Sequence, residues 1–384
     1  MTVPSLVLFG TAGHAITHLR RARALHSQGE ITLAGACDIR EPSPEARSLL
    51  PEGAIVTADP ERLLDRARPD IAIVATPPHT HLDLARLVLA AGCHLLLEKP
   101  PVLDLGAFAE LSGLVDRGGL ACQVGFQSFG SAALPVLRQA FAAGEIGEIT
   151  GVSAAGAWIR RDPYFERADW AGRRGLGAQP VVDGSLTNPF AHAVATALLL
   201  NGTAADLPDH VAVELYHARD IEADDTACAR LSFTGAPDVV AAATLCAERD
   251  HEPYVLVHGT HGEAKWEYKT DRLVINGMTV PVAPPTDLLG DLLGHLRDGT
   301  PLLAPLAVTR AFTALVEAVW HAPDPRPIPE ARPWGRGPDR HVVVPGIDRH
   351  VDTAADRLAL FSELGLPWAT AAAGKPSRGR KGAS

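Results

Sequence analysis

The stretch Leu6-Val7-Leu8-Phe9-Gly10-Thr11-Ala12-Gly13-His14-Ala15 decides how the chain is read. Four apolar residues without polar alternation suit a strand buried on both faces, and Gly10 ends the run. An amphipathic segment follows to about His26, and a second apolar run spans residues 31–37. This order predicts strand, glycine turn, helix, strand. The turn sits where a dinucleotide fingerprint belongs, although Ala12 and Ala15 occupy two of its three glycine positions. Gly10 still allows the tight turn, Gly13 is a second flexible position, and the N-H groups of a helix start suit a pyrophosphate. An ordinary strand-to-helix turn would look similar, but Asp38 closes the second strand where a carboxylate can hold a ribose hydroxyl. Residues 10–15 (Gly10, Thr11, Ala12, Gly13, His14, Ala15) and Asp38 are therefore the expected cofactor contacts. An acid at 38 repels a 2′-phosphate while Arg40 attracts one, so NAD is expected, with NADP as the alternative.

Outward from this unit the pattern repeats. Residues 71–75 read as a strand, 81–91 as a helix closed by Gly92, and 94–97 as the next strand. Buried strands separated by helices predict an α/β, doubly wound parallel sheet over residues 1–125. After Gly125 the texture changes to an α+β pattern. A helix near 134–143 precedes candidate strands at 149–159, 211–216, 226–233, 239–245, 254–259 and 264–268, which suit an open, mainly antiparallel sheet over 126–322. Residues 323–338 are rich in Pro, Arg and Gly. A strand at 341–344 and a helix at 353–364 follow, in an extension of 323–370 expected to wrap the core. The stretch 371–384 has no apolar periodicity and is expected to be a disordered tail.

The 384 residues exceed one ordinary core and predict two domains. A net charge of −10, with no basic stripe, argues against a nucleic-acid partner. The five cysteines are odd in number and widely spaced, which predicts reduced packing residues and no metal site. Neither a signal-like start nor an 18-residue apolar run is present, so a cytoplasmic protein without a membrane partner is expected. Of 35 basic residues 30 are arginine, and Lys99 is the single lysine in the first 264 positions. Guanidinium does not give up its proton whereas ammonium can, which points to chemistry at Lys99.

Two further segments carry a resemblance. Ala75-Thr76-Pro77-Pro78-His79-Thr80-His81 and Gly92-Cys93-His94-Leu95-Leu96-Leu97-Glu98-Lys99-Pro100 resemble the glucose-fructose oxidoreductase/inositol dehydrogenase/rhizopine catabolism (Gfo/Idh/MocA) family. The first segment also reads as a loop and helix cap, with His79 and His81 satisfying backbone groups. The resemblance implies a Rossmann oxidoreductase with Thr76, Pro77, His81, Glu98 and Gln127 added to the cofactor contacts. It places Lys99 beside the nicotinamide and the reacting carbon. A later Asp-x-x-x-His motif of the family corresponds to Asn188 and His192, so the histidine is retained and the aspartate is not. Asn188 cannot accept a proton but is expected to orient a substrate hydroxyl, and Asn188-Pro189 also suits a helix N-cap with proline at the first helical position. His192 is the expected second catalytic residue, Asp183 a possible substitute carboxylate, and Arg173 a possible clamp for an anionic or polyhydroxylated substrate.

The activity implied is hydride transfer between nicotinamide and a secondary hydroxyl or keto group of a sugar, cyclitol or sugar derivative. An NAD-dependent glycosidase of the same fold and a non-catalytic dinucleotide or sugar sensor are the alternatives. Open sheets in the family pack between subunits, which implies a homo-dimer or homo-tetramer.

Overall fold

In the computed structural model, residues 3–177 and 179–370 are described, so the tail expected at 371–384 lies outside them. Six strands, β1 (Ser5–Phe9), β2 (Thr32–Cys37), β3 (Ile55–Thr57), β4 (Ile71–Val74), β5 (His94–Leu97) and β6 (Cys122–Val124), form one parallel sheet. Its order is β3-β2-β1-β4-β5-β6. The chain winds outward in both directions from β1 and β4, and the crevice beyond the carboxyl ends of these two strands is where such a sheet binds ligands. Leu6, Val7 and Leu8, together with Ile71 to Val74, are fully buried, as strands covered by helices on both faces must be.

The second layer is a nine-stranded mixed sheet. Its members are β7 (Ile149–Ile159), β10 (His210–His217), β11 (Thr226–Phe233), β12 (Ala236–Thr244), β13 (Cys246–Gly259), β14 (Glu263–Glu267), β15 (Arg272–Ile275), β16 (Met278–Val280) and β17 (Arg326–Pro327). The order is β16-β15-β14-β13-β7-β12-β11-β10-β17, antiparallel except where β7 meets β12 and β10 meets β17. A two-residue hairpin, β8 (Gly175–Leu176) with β9 (Gln179–Pro180), sits outside it. Period-two alternation along β7 sends Val152 and Ala154 into the core shared with the parallel-sheet half, and Ala155 to the other face. The helix Ala191–Leu200 lies on the first of these faces. It is apolar almost all round because the sheet covers one side and the residues after β6 and helix Arg310–His321 cover others.

The opposite face of the sheet is covered by the chain's own C-terminal extension. The short pair β18 (Arg332–Trp334) and β19 (His341–Val343) leads into helix Ile347–Arg357. Ile347, Val351, Ala354, Phe361 and Trp368 close over Tyr216, Cys228, Ala242 and Leu256 as a second core. The helix expected at 353–364 instead spans Ile347–Arg357, because Leu358 turns into the left-handed region at φ 48° and ends it. The apolar sheet face on which the expectation of a homo-dimer or homo-tetramer rested is covered by this extension.

Candidate active site

The turn after β1 shows why its first glycine is kept. Gly10 has φ 95°, and a Cβ there would lie 2.5 Å from the Ala75 carbonyl oxygen at the end of β4. Gly13 has φ 59° with open space around the missing Cβ, whereas Ala15 packs fully buried at the helix start without conflict. Among the described residues the N-H groups of Ala12, Gly13 and His14 have no backbone acceptor, as the first turn of helix Ala15–Ser27 requires. Asp38 follows β2 and accepts from Thr11 N at 2.7 Å, Thr11 Oγ1 at 2.8 Å and Arg40 N at 3.0 Å. Free N-H groups in open space beside a carboxylate form a cradle of the shape and polarity that a dinucleotide fits.

Glu98, after β5, is the hub next to this cradle. Its Oε1 lies 2.7 Å from His18 Nε2, 3.4 Å from His14 Nε2 and 3.1 Å from Gln127 Nε2. Burial pushes the Glu98 carboxyl up, but the hydrogen bonds from His14 and His18 outweigh it and hold the group well below the usual carboxylate range. Sequence reasoning missed His18, whose signal was its spacing of four from His14, which puts both rings over Glu98. The ligand atoms of His14, His18 and Glu98 lie within 4.8 Å of one another, a grouping compatible with a cation. The expectation of no metal site drew on cysteine spacing and did not consider this cluster.

His81 is assigned a different task from the expected cofactor contact. It is fully buried, with Nδ1 2.8 Å from the Pro100 carbonyl and Nε2 2.9 Å from the Thr76 carbonyl. Both ring nitrogens are engaged, so the ring ties the loop after β4 to the loop after β5 and is not free for a ligand. Thr76 Oγ1 meets Thr80 Oγ1 at 2.7 Å, which fixes the first of those loops.

Lys99 stands at the centre. Its Nζ donates to Asn188 Oδ1 at 2.7 Å and to the Asn188 carbonyl at 2.9 Å. Asn188 Nδ2 donates onward to Asp183 Oδ1 at 2.6 Å, and Asp183 is clamped by Arg167 Nη2 at 3.0 and 2.9 Å and by Gly172 N at 2.8 Å. Burial lowers the Lys99 amine from its ordinary value, against the opposing pull of Glu98 and Asp183. An aspartate at 188 would have faced the amine with a carboxylate and raised it; the neutral amide does not. Asp183 is thus corrected from a substitute proton acceptor to a buried anchor, its oxygens already taken. Arg173 is corrected likewise. Its side chain is exposed, its carbonyl accepts from Asp183 N at 3.0 Å, and the arginine beside the site is Arg167.

Asn188 is not the helix cap that the Asn-Pro pair suggested. The helix starts at Ala191, and residues 185–190 form turns held by Asp224, which accepts from Ser185 N at 2.8 Å and Ser185 Oγ at 2.7 Å. Burial raises the Asp224 carboxyl to about 6. His192 is the second residue of helix Ala191–Leu200, its ring edge-on to Phe126 at 5.6 Å. Burial and the nearby Lys99 charge pull its imidazole down to about 3, so it is neutral at any physiological pH. Its Nδ1 is shielded from water and has no hydrogen-bond partner, a deficit that a bound polar group would relieve.

Residues 5–126 match the model of the oxidoreductase family with an NAD-binding Rossmann fold, and residues 136–265 match the GFO/IDH/MocA C-terminal domain. The chain belongs to the Gfo/Idh/MocA oxidoreductase family. It is 27% identical over 123 residues to D-glucoside 3-dehydrogenase of Escherichia coli (strain K12), covering 32% of this chain and 35% of that one. It is 30% identical over 148 residues to dTDP-3,4-didehydro-2,6-dideoxy-alpha-D-glucose 3-reductase of Streptomyces antibioticus, 38% and 45% of the two chains. These matches span less than half the length of either relative. The WlbA dehydrogenase of Bordetella pertussis, solved with NADH and UDP-GlcNAcA, superposes with a TM-score of 0.67 at 21% identity over 83% of this chain and 96% of that one, a likeness of fold. Members of the family bind NAD, and the cradle around Gly10 and Asp38 suits it. Among the described residues no helix is long and apolar enough to cross a membrane, and all five cysteines are free and buried.

Proposed function

We propose that the chain moves a hydride between NAD and a secondary hydroxyl or keto carbon of a sugar, cyclitol or sugar derivative, with Lys99 carrying the proton. The observation behind this reading is the Lys99 amine, lowered by burial, holding two of its hydrogens on Asn188 and, among the described residues, paired with no carboxylate. With two positions of the nitrogen occupied, the neutral amine has one lone pair left to aim at a hydroxyl proton. In the oxidation direction the substrate O-H proton passes to Lys99 Nζ as the C-H bond breaks and the C=O bond forms. When bound, NAD supplies the hydride acceptor. Asn188 orients the amine, Asp183 and Arg167 fix Asn188, and neutral His192 gives the substrate a hydrogen-bond partner instead of taking its proton. The two sugar-acting relatives support this substrate class, and NAD with reduced cysteines suits a cytoplasmic enzyme.

Two measurements test the reading. A thermal-shift screen with NAD, NADH, NADP and NADPH is expected to show stabilisation by the NAD pair first, followed by turnover of a sugar or polyol at the nicotinamide absorbance. No stabilisation by any dinucleotide contradicts it. Asp38→Asn removes the carboxylate that holds Thr11 and is placed for a ribose diol. The variant is expected to raise the KM for NAD about tenfold, consistent with losing a charged hydrogen bond of about 1.5–3 kcal/mol, while NADP use improves. Unchanged preference in steady-state kinetics would remove Asp38 from the cofactor site.

A further inference from the structure

Trp158, at the end of β7, lies on the active-site face of the sheet. Its neighbour on that face, Gly156, has no room for a Cβ because the Phe190 ring fills the place at 2.1 Å, and Trp158 itself packs on Phe190 at 4.4 Å between ring centroids. Phe190 stands between Asn188 and His192 in sequence. Two cations share the Trp158 indole: the Arg160 guanidinium carbon is 4.4 Å and Lys269 Nζ 4.8 Å from its centroid. The residue before Lys269, Tyr268, lies 6.4 Å from His192 between ring centroids. Arg167 adds a third cation, 3.8 Å over Tyr164 and 4.5 Å over Trp170, but Asp183 neutralises it.

Arg160 and Lys269 make no ion pair among the described residues, and Arg160 Nε is shielded from water without a hydrogen-bond partner. Arg160 also lies 5.0 Å over the Tyr164 ring. Arg160, partly buried, and Lys269, exposed, are two cations without an ion pair on one indole and raise the local potential there, and a shielded N-H without an acceptor is a cost that an anion would remove. The guanidinium fork suits a carboxylate or phosphate.

We propose that Arg160 and Lys269, on the Trp158 platform, form an anion subsite that selects sugars carrying a carboxylate or phosphate substituent. This deepens the oxidoreductase reading and rests on Lys99 lying at the reacting carbon of the same substrate. Phe190, packed on Trp158 and two residues from both Asn188 and His192, ties the platform to the site, so an anion held there fixes the sugar without competing with Lys99 for the proton.

The test is binding to the full chain loaded with NADH, by calorimetry at low and high salt, so that it does not depend on turnover. The probes are glucose, glucuronate, glucose 1-phosphate and UDP-glucose, which separate a carboxylate from a phosphate as the source of charge. At least one charged probe is expected to bind tenfold or more tightly than glucose at low salt. That preference should shrink with added salt and vanish in the double variant R160M/K269M, whose NADH affinity serves as the check of folding. Equal affinity for glucose and all charged probes, or a preference that survives in the double variant, overturns the subsite. Failure of the oxidoreductase reading shows separately, as an absence of nicotinamide absorbance change with every sugar while the charged probes still bind.

Discussion

Lys99→Ala is expected to lower kcat/KM by roughly three orders of magnitude, within the range of about 10²–10⁴ that a positioned acid-base group contributes, and to leave NAD affinity nearly intact. The reason is geometric. Lys99 is held by Asn188 through two hydrogen bonds, so its loss removes the proton acceptor without disturbing Gly10, Asp38 or Glu98. In the wild type the rate of oxidation is expected to rise with pH, because the neutral amine is the reactive form. Burial lowers that amine, so the rise should be centred below the ordinary lysine value of 10.5. His192, neutral above about 3, contributes no limb between pH 5 and 9. Steady-state pH profiles in both directions check the sign, since the reduction requires the protonated lysine and should fall as pH rises.

The second large effect falls on stability. Phe361→Ala is expected to cost about 3–5 kcal/mol, the range for emptying a buried phenylalanine site. Phe361 is fully buried between the extension and the sheet, 5.3 Å from Trp368 and 6.1 Å from Tyr216 between ring centroids, and its N-H meets Cys228 Sγ at 3.2 Å. Arg230 braces the same segment through Glu363 at 2.7 and 2.6 Å. Urea unfolding followed by tryptophan fluorescence should show the loss, and the variant should gain a tendency to self-associate through the uncovered sheet face. An unchanged midpoint would mean that the extension is not part of the folded core.

Much of this arrangement was legible in the sequence because local signals agreed with the final structure. The apolar run ending at Gly10 and the repeated strands at β4 and β5 leave few topologies open, and Gly10 is required by the approach of Ala75. Lys99 stood out from composition alone. The hydrogen-bonded chain behind it was not legible, because Asn188, Asp183 and Arg167 meet only when residues 162–190 fold back from the end of the central strand β7, and no periodicity encodes that path. The sequence reading named Arg173 and passed over Arg167; only the fold separates the exposed side chain from the one that reaches Asp183. That the C-terminal extension wraps the core was expected, but which face it covers was hidden for a different reason. An apolar sheet face reads the same whether another subunit or the chain's own helix Ile347–Arg357 covers it.

The central claim is that the Lys99 nitrogen itself transfers the proton, and chemical rescue tests it most directly. With Lys99→Ala loaded with NAD, added methylamine can enter the space left by the side chain and act as the missing base. Hydride transfer, followed at the nicotinamide absorbance with a sugar that the wild type oxidises, is expected to recover in proportion to the concentration of neutral amine and to track amine basicity across a series. A variant that binds NAD and sugar yet shows no response to any small amine, or that turns over at the wild-type rate without one, would contradict it.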